Sequence, residues 1–195
     1  MGRLQQGAAL SPTHKGVHVV GGKVEGMRAR CGRLFHARNM RWTSQALLAP
    51  MTAHDAMGGR AWTVLEHDDF RVCKAFALWA NSTAGMIVHW TQGQRIHAGR
   101  STTQIVALGQ ILCTRLDGLP DAALDRSAAI FDELAARQLS SACQAHADET
   151  RRDIDSAIVE ILALPDGTGE AIEALRCREP SVHGQNREAL AILSG

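Results

Sequence analysis

Asp68-Asp69-Phe70-Arg71-Val72-Cys73-Lys74-Ala75-Phe76-Ala77-Leu78-Trp79-Ala80-Asn81-Ser82-Thr83, residues 68–83, decides how the chain is read. Two carboxylates stand where a helix N-cap belongs, because a short acidic side chain accepts from the unpaired amides of the first turn. Val72, Cys73, Phe76, Ala77, Leu78 and Trp79 then put apolar groups on nearly every side, so a buried helix over Phe70 to Ala80 is expected at the centre of the core. Asn81-Ser82-Thr83 interrupts it with side chains that can cap a new turn. Met86, Ile87 and Trp90 continue as a second apolar segment that ends near Gly93.

Downstream, Gln92 to Thr103 is polar, contains Gly93 and Gly99, and reads as an exposed, mobile loop. Ile105 to Leu116 is apolar and suits a strand or a short helix. After Pro120 the periodicity is helical: Leu124, Ala128, Phe131, Leu134, Ala135 and Leu139 mark one face, and Ile154, Ala157, Ile158, Ile161 and Leu162 mark a second that stops at Pro165-Asp166-Gly167. Two shorter helical pieces, Glu170 to Arg178 and Asn186 to Leu193, follow. Upstream, short strands are expected at Arg33 to His36, Met40 to Leu48 and Trp62 to Leu65, although Gln45 to Met51 suits a helix equally well. Residues 1–31 are rich in Gly and hold at most one strand, so they read as an N-terminal extension open to disorder. The class is α+β, with a mixed part over 32–116 and a helical part over 117–195 packed on it.

Composition narrows the function. A chain of 195 residues and 21.0 kDa buries one core and perhaps a small second lobe. Hydrophobic residues at 45% and charged residues at 21% exclude a disordered chain, and no uncharged run approaches the roughly 18 apolar residues of a spanning helix. The first thirty residues show no apolar signal segment, so the chain reads as cytoplasmic, with no membrane partner. Five cysteines, at least thirty residues apart, argue against a disulfide framework. The net charge of +1 conceals a division: residues 1–110 hold thirteen Lys/Arg against five Asp/Glu, and residues 111–195 hold eight against fifteen. A basic half attracts polyanions.

Several chemistries have no motif here. The five prolines are never adjacent, so the [DNS]-P-P-[YFW] tetrapeptide of amino-methylating enzymes cannot occur. The carboxylate cluster of common metal-dependent nucleases is missing around Lys15, Lys23 and Lys74. Gly22-Lys23 fails the phosphate-loop spacing at Val17 and at Val24. His14 with His18, and Cys143 with His146, are pairs without a third ligand nearby, so no metal site is expected.

Lys74 to Gly85, a helix followed by Asn81-Ser82-x-x-Gly85, resembles a segment in the C-terminal target-recognition regions of adenine-specific DNA methyltransferases of restriction-modification type, including TaqI-like specificity domains. Gly58-Gly59-Arg60-Ala61-Trp62, Gly93-Gln94-Arg95 with Gly99-Arg100, Asp148-Glu149-Thr150-Arg151 and Glu179-Pro180-Ser181-Val182-His183-Gly184 resemble the same proteins in the same order, from about Leu34 to Gly184. The resemblance implies a DNA-reading module without its catalytic partner. S-adenosylmethionine would belong to a separate or missing catalytic domain, and this chain alone would transfer no methyl group.

A DNA surface needs cations for phosphates, small residues for close approach, and amide or planar side chains for base edges. Gln94, Arg95, His97, Arg100 and Gln104 offer these in one stretch, and Arg38, Arg41 and Arg60 form a second group that a strand-containing half can present beside it. Arg95 and Arg100 are expected on phosphates or guanine edges, Gln94 and Gln104 on adenine. Trp79 and Trp90 read as core, whereas Trp42 and Trp62 are the better candidates for base stacking. Asn81 is explained by the helix break, and Asp132-Glu133 and Asp148-Glu149 by solvated helix faces or termini. The expected partners are duplex DNA and a methyltransferase catalytic subunit. The alternative is a protein-interaction or scaffold domain that docks on such a subunit without binding DNA itself.

Overall fold

The computed structural model describes residues 5–6, 31–42, 44–59, 61–97, 100–104 and 113–178. The fold is α+β. Strands β1 (Gln5–Gln6), β2 (Cys31–Ala37), β4 (Met51–Met57) and β5 (Trp62–Glu66) form an antiparallel sheet in the order β1-β5-β2-β4. Strands β3 (Asn39–Arg41), β6 (Gln94–His97) and β7 (Arg100–Thr102) form a second sheet in the order β3-β7-β6. The described residues contain the helices α1 (Phe70–Asn81), α2 (Thr83–Gln92), α3 (Asp121–Leu134), α4 (Glu149–Ile161) and α5 (Thr168–Arg178). Short 3-10 helices lie at Leu116–Gly118 and Ala142–Ala147. Among the described residues no helix is long and apolar enough to cross a membrane.

The central helix starts and stops where its sequence dictates. Asp69 is the N-cap of α1, its carboxylate accepting from the Arg71 amide at 2.8 Å. Nine of its residues, Val72, Cys73 and Ala75 to Asn81, are buried. Ser82 closes α1, its amide donating to the Trp79 carbonyl, and caps α2 by accepting from the Gly85 amide. Gly85 is required by crowding: a methyl there would run into the Trp79 carbonyl oxygen and come within 2.9 Å of the Ala80 Cα.

One apolar core joins Leu34 and Leu65 of the sheet, the buried face of α1, Leu124, Ile130 and Leu134 of α3, and Ile154, Ala157, Ile158 and Ile161 of α4. It therefore runs across the expected division at residue 116, and the helical part shares its interior with the mixed part. A second cluster of Ala37, Met40, Trp42, Leu48, Met86, Trp90 and Ala142 lies under the three-stranded sheet.

Two expectations change, and one strand is added. Gln92 to Thr103 is not a loop: it contains β6 and β7, a hairpin with Gln94, Arg100 and Thr102 on its outer side and Ser101 docked on α2 from its inner side. Met40 to Leu48 is a strand only to Arg41, and the following segment is irregular, its backbone held by side chains. Met51–Met57, with no clean alternation in its sequence, is a strand. Expectations on Ile105 to Leu112 and Asn186 to Leu193 lie outside the described residues, as does the order of residues 1–31 apart from Gln5, Gln6 and Cys31.

Candidate nucleic-acid interface

The three-stranded sheet brings together residues from two distant stretches of sequence. Asn39, Met40 and Arg41 of β3 stand opposite Thr102, Ser101 and Arg100 of β7. On the other edge of β7, Thr102, Ser101 and Arg100 stand opposite Gln94, Arg95 and His97 of β6, with a register shift between Arg95 and His97. Side chains alternate along a strand, so one fixed point sets every other. That point is Met40 with Ser101, both 0% exposed, in the row that faces α2. Asn39, Arg41, Arg100, Thr102 and Gln94 consequently share the opposite, solvent side, where Arg41 and Gln94 are exposed and the other three half-buried.

This places the expected residues as follows. Arg41 and Arg100 are direct cross-strand neighbours, whose Cβ atoms in such a pair lie about 5 Å apart. In the backbone register His97 stands opposite Arg100 and Arg95 opposite Ser101. Arg38 lies between β2 and β3, its Nε donating to the Thr103 carbonyl at 3.4 Å. Gln104 is exposed beyond the end of β7. Arg60 lies outside the described residues. Asn39 and Thr102 join the face without having been singled out in the sequence; the signal available was the polar-apolar-polar triplet Asn39-Met40-Arg41, which only acquires meaning once Met40 is known to be buried.

Charge is distributed unevenly around the fold. Carboxylates hold Arg71 (Asp69, Asp121 and Asp125), Lys74 (Asp132), Arg126 (Glu160), Arg137 (Asp153) and Arg152 (Glu173). The acids of the helical part are thus largely spent on nearby cations. Among the described residues neither Arg41 nor Arg100 has an ion-pair partner. The Nε of Arg100 is buried with no hydrogen-bond partner. An unpaired cationic donor is costly, and an anionic oxygen would satisfy it.

One expected contact is corrected. Trp42 is 3% exposed and packs on Trp90 with ring centroids 5.2 Å apart, so its face is already covered and is not free for a base. Trp62 is half-buried against the same cluster. Asn81 is buried, its Oδ1 accepting from the amides of Leu48 and Ala49 and its Nδ2 donating to the Ala49 carbonyl at 2.9 Å. It fastens the irregular segment to the end of α1. Asp132 and Glu133 are exposed on α3; Asp148 is the buried N-cap of α4 and Glu149 is exposed in its first turn.

Two histidines lie together in the interior. His36 of β2 and His89 of α2 meet inside the fold with ring centroids 5.1 Å apart. Burial drives the pKa of His36 down to about 3, with His89 adding to the shift, and burial lowers His89 to about 4. Both are neutral near pH 7. No group of three or more His, Cys, Asp or Glu among the described residues can hold a metal ion. A separate apolar groove of about 630 Å³ runs between α1, α3 and the 46–53 segment, with Arg33 stacked 4.4 Å over the Phe70 ring at one end. No family model, no curated protein and no solved structure matches the chain.

Proposed function

We propose that this chain is a non-catalytic DNA target-recognition module, resembling the C-terminal part of an adenine-specific DNA methyltransferase, that binds duplex DNA on behalf of a separate catalytic subunit. The observation that carries the reading is the outward face of the three-stranded sheet. Two arginines stand side by side on it, without carboxylate partners among the described residues, flanked by Asn39, Thr102 and the exposed Gln94. Arginines neutralise phosphates and fix the register of the protein on the duplex, while amides and hydroxyls address base edges. The cofactor S-adenosylmethionine and the methyl transfer belong to the catalytic subunit, and the helical part acts as scaffold for the face.

The test is fluorescence anisotropy of the full chain with a labelled random duplex of about 25 base pairs at several salt concentrations. Each neutralised phosphate contributes about −0.9 to the slope of log K against log salt, so a footprint of several contacts gives a slope of about −3 or steeper. No binding by a folded, monodisperse sample at low salt overturns the reading.

A further inference from the structure

The row Asn39–Thr102–Gln94 lies beside the arginine row, two residues along the same strands and therefore about 6.8 Å away. Its side chains differ in what they still have to offer. The Thr102 hydroxyl donates to the Asn39 carbonyl oxygen at 2.6 Å, across the β3–β7 pair. This contact fixes the amide plane of Asn39, turns its oxygen toward β7, and leaves its two N–H donors over. Gln94, at the far end of the row, is exposed and makes no hydrogen bond among the described residues, so both its donors and its acceptor are free.

An asparagine that reads adenine uses its carbonyl and its amino group together, against N6 and N7. In Asn39 one of the carbonyl's two lone pairs is taken by Thr102, which holds the oxygen toward β7. The donors that remain match a base edge that shows two acceptors and no donor, and in the major groove only guanine, with N7 and O6, has that pattern. Thymine presents a single acceptor beside a methyl group, and cytosine a donor. Resting on the DNA-binding reading above, we infer that Asn39 is a specificity-determining residue that donates to a guanine edge in the major groove, with Thr102 as the positioning residue that orients its amide. Arg41, two residues further along β3, holds the neighbouring phosphate or base and sets where on the duplex Asn39 falls.

The experiment is a binding selection from a randomised duplex library, made with the full chain and with Asn39→Ala, Asn39→Asp and Thr102→Val. Asn39→Asp keeps the shape and the Thr102 contact but replaces the donors by an acceptor. The unmodified chain is expected to prefer guanine at one position by about fivefold or more. Asn39→Asp should exchange that preference for cytosine, whose N4 amino group donates. Asn39→Ala should abolish it, and Thr102→Val should weaken it, with thermal melting checked for each variant so that a folding defect is recognised. A role confined to stapling β3 to β7 would move the melting temperature and leave the base preference in place, which overturns the inference. Preference for adenine at that position, or a guanine preference that survives Asn39→Ala, overturns it as well. DNA binding without any sequence preference defeats the inference alone, whereas no DNA binding defeats the underlying reading with it.

Discussion

Arg151 and Asp155, one turn apart on α4, serve opposite ends of two consecutive helices. The Arg151 guanidinium donates to the Asn81 carbonyl where α1 ends, and the Asp155 carboxylate accepts from the Thr83 amide and hydroxyl, each at 2.6 Å, where α2 begins. A cation at a helix C-terminus and an anion at an N-terminus both match the helix dipole. Arg151 is 0% exposed and also donates to the carbonyls of Ala46 and Ser140, while Asp155 lies 3.4 Å from the buried Arg176. Burial raises the Asp155 pKa, opposed by the Thr83 hydrogen bonds and the nearby arginines, and lowers that of Arg151.

Removing the carboxylate from this arrangement leaves the buried Thr83 donors without their acceptor and takes one of two carboxylates from the buried Arg176, which keeps Glu173. Asp155→Ala should therefore cost about 3–5 kcal/mol in urea unfolding. Thr83→Val removes one hydroxyl and should cost about 1–3 kcal/mol. The double variant should lose less than the two single losses together, because the groups share one contact. Simple additivity would show that the pair does not act as a unit.

Gly85 tests the closeness of the helix break. Gly85→Ala should destabilise by about 1–3 kcal/mol through overpacking against Trp79 and Ala80. On an open helix surface the same substitution would stabilise by about 1 kcal/mol, so the sign of the change is decisive.

The histidine pair predicts a dependence on pH. In the unfolded chain both histidines take up protons near pH 6.5, whereas in the folded protein they resist to about 3 and about 4. Between those limits the unfolded state binds more protons, so stability is fully present above about pH 6.5 and is lost as pH falls. The loss approaches about 1.4 kcal/mol per pH unit for each histidine. Urea melts at pH 7, 6 and 5 should show it, and His89→Leu should reduce the slope by about half. A slope unchanged by that substitution would assign the acid sensitivity elsewhere.

Salt dependence separates the paired from the unpaired arginines. Arg41→Ala and Arg100→Ala should each flatten the slope of log K against log salt by about 0.9, one phosphate contact apiece. Arg137→Ala, which removes a cation already held by Asp153 at 2.6 Å, should leave the slope alone. Equal effects of all three would mean a diffuse positive field and not a defined face.

The sequence was most legible where one residue has one local task. Asp69 and Ser82 are short capping side chains beside apolar runs, and the helices begin and end at them. Trp79 and Trp90 are buried as their apolar surroundings imply. Legibility ended where tertiary partners decide. The hairpin over Gln94 to Thr102 reads as a polar loop because Ser101, its buried central residue, is itself polar and is covered by Trp90 and Met40 from elsewhere in the chain. Trp42 follows the exposed Arg41 and looks accessible until Trp90 packs on it. Arg151 and Asp155 sit on the same stripe of α4 as Ile154 and Ile158, a pattern that resembles a charged flaw in an apolar face until the broken helix that needs them is in view. Half of the candidate face was visible as basic residues, and their meeting across β3 and β7 was not, since strand pairing leaves no local trace.

The turn after Arg41 has a further consequence, for the order of events as the protein folds. The carbonyls of Trp42 and Gln45 accept from the amides of Cys143 and Ala142 at 3.0 and 2.8 Å, and Arg151 reaches Ala46 across a separation of 105 residues. Contacts so remote in sequence close late, after local helices have formed. A nascent chain that has emerged only as far as the hairpin has made both arginine-bearing strands but lacks the segment that anchors the first of them. The face that carries Arg41 and Arg100 is thus completed by synthesis of the acidic half, which makes the helices a timing element: a partly made chain has both strands before it has the contacts that fix them.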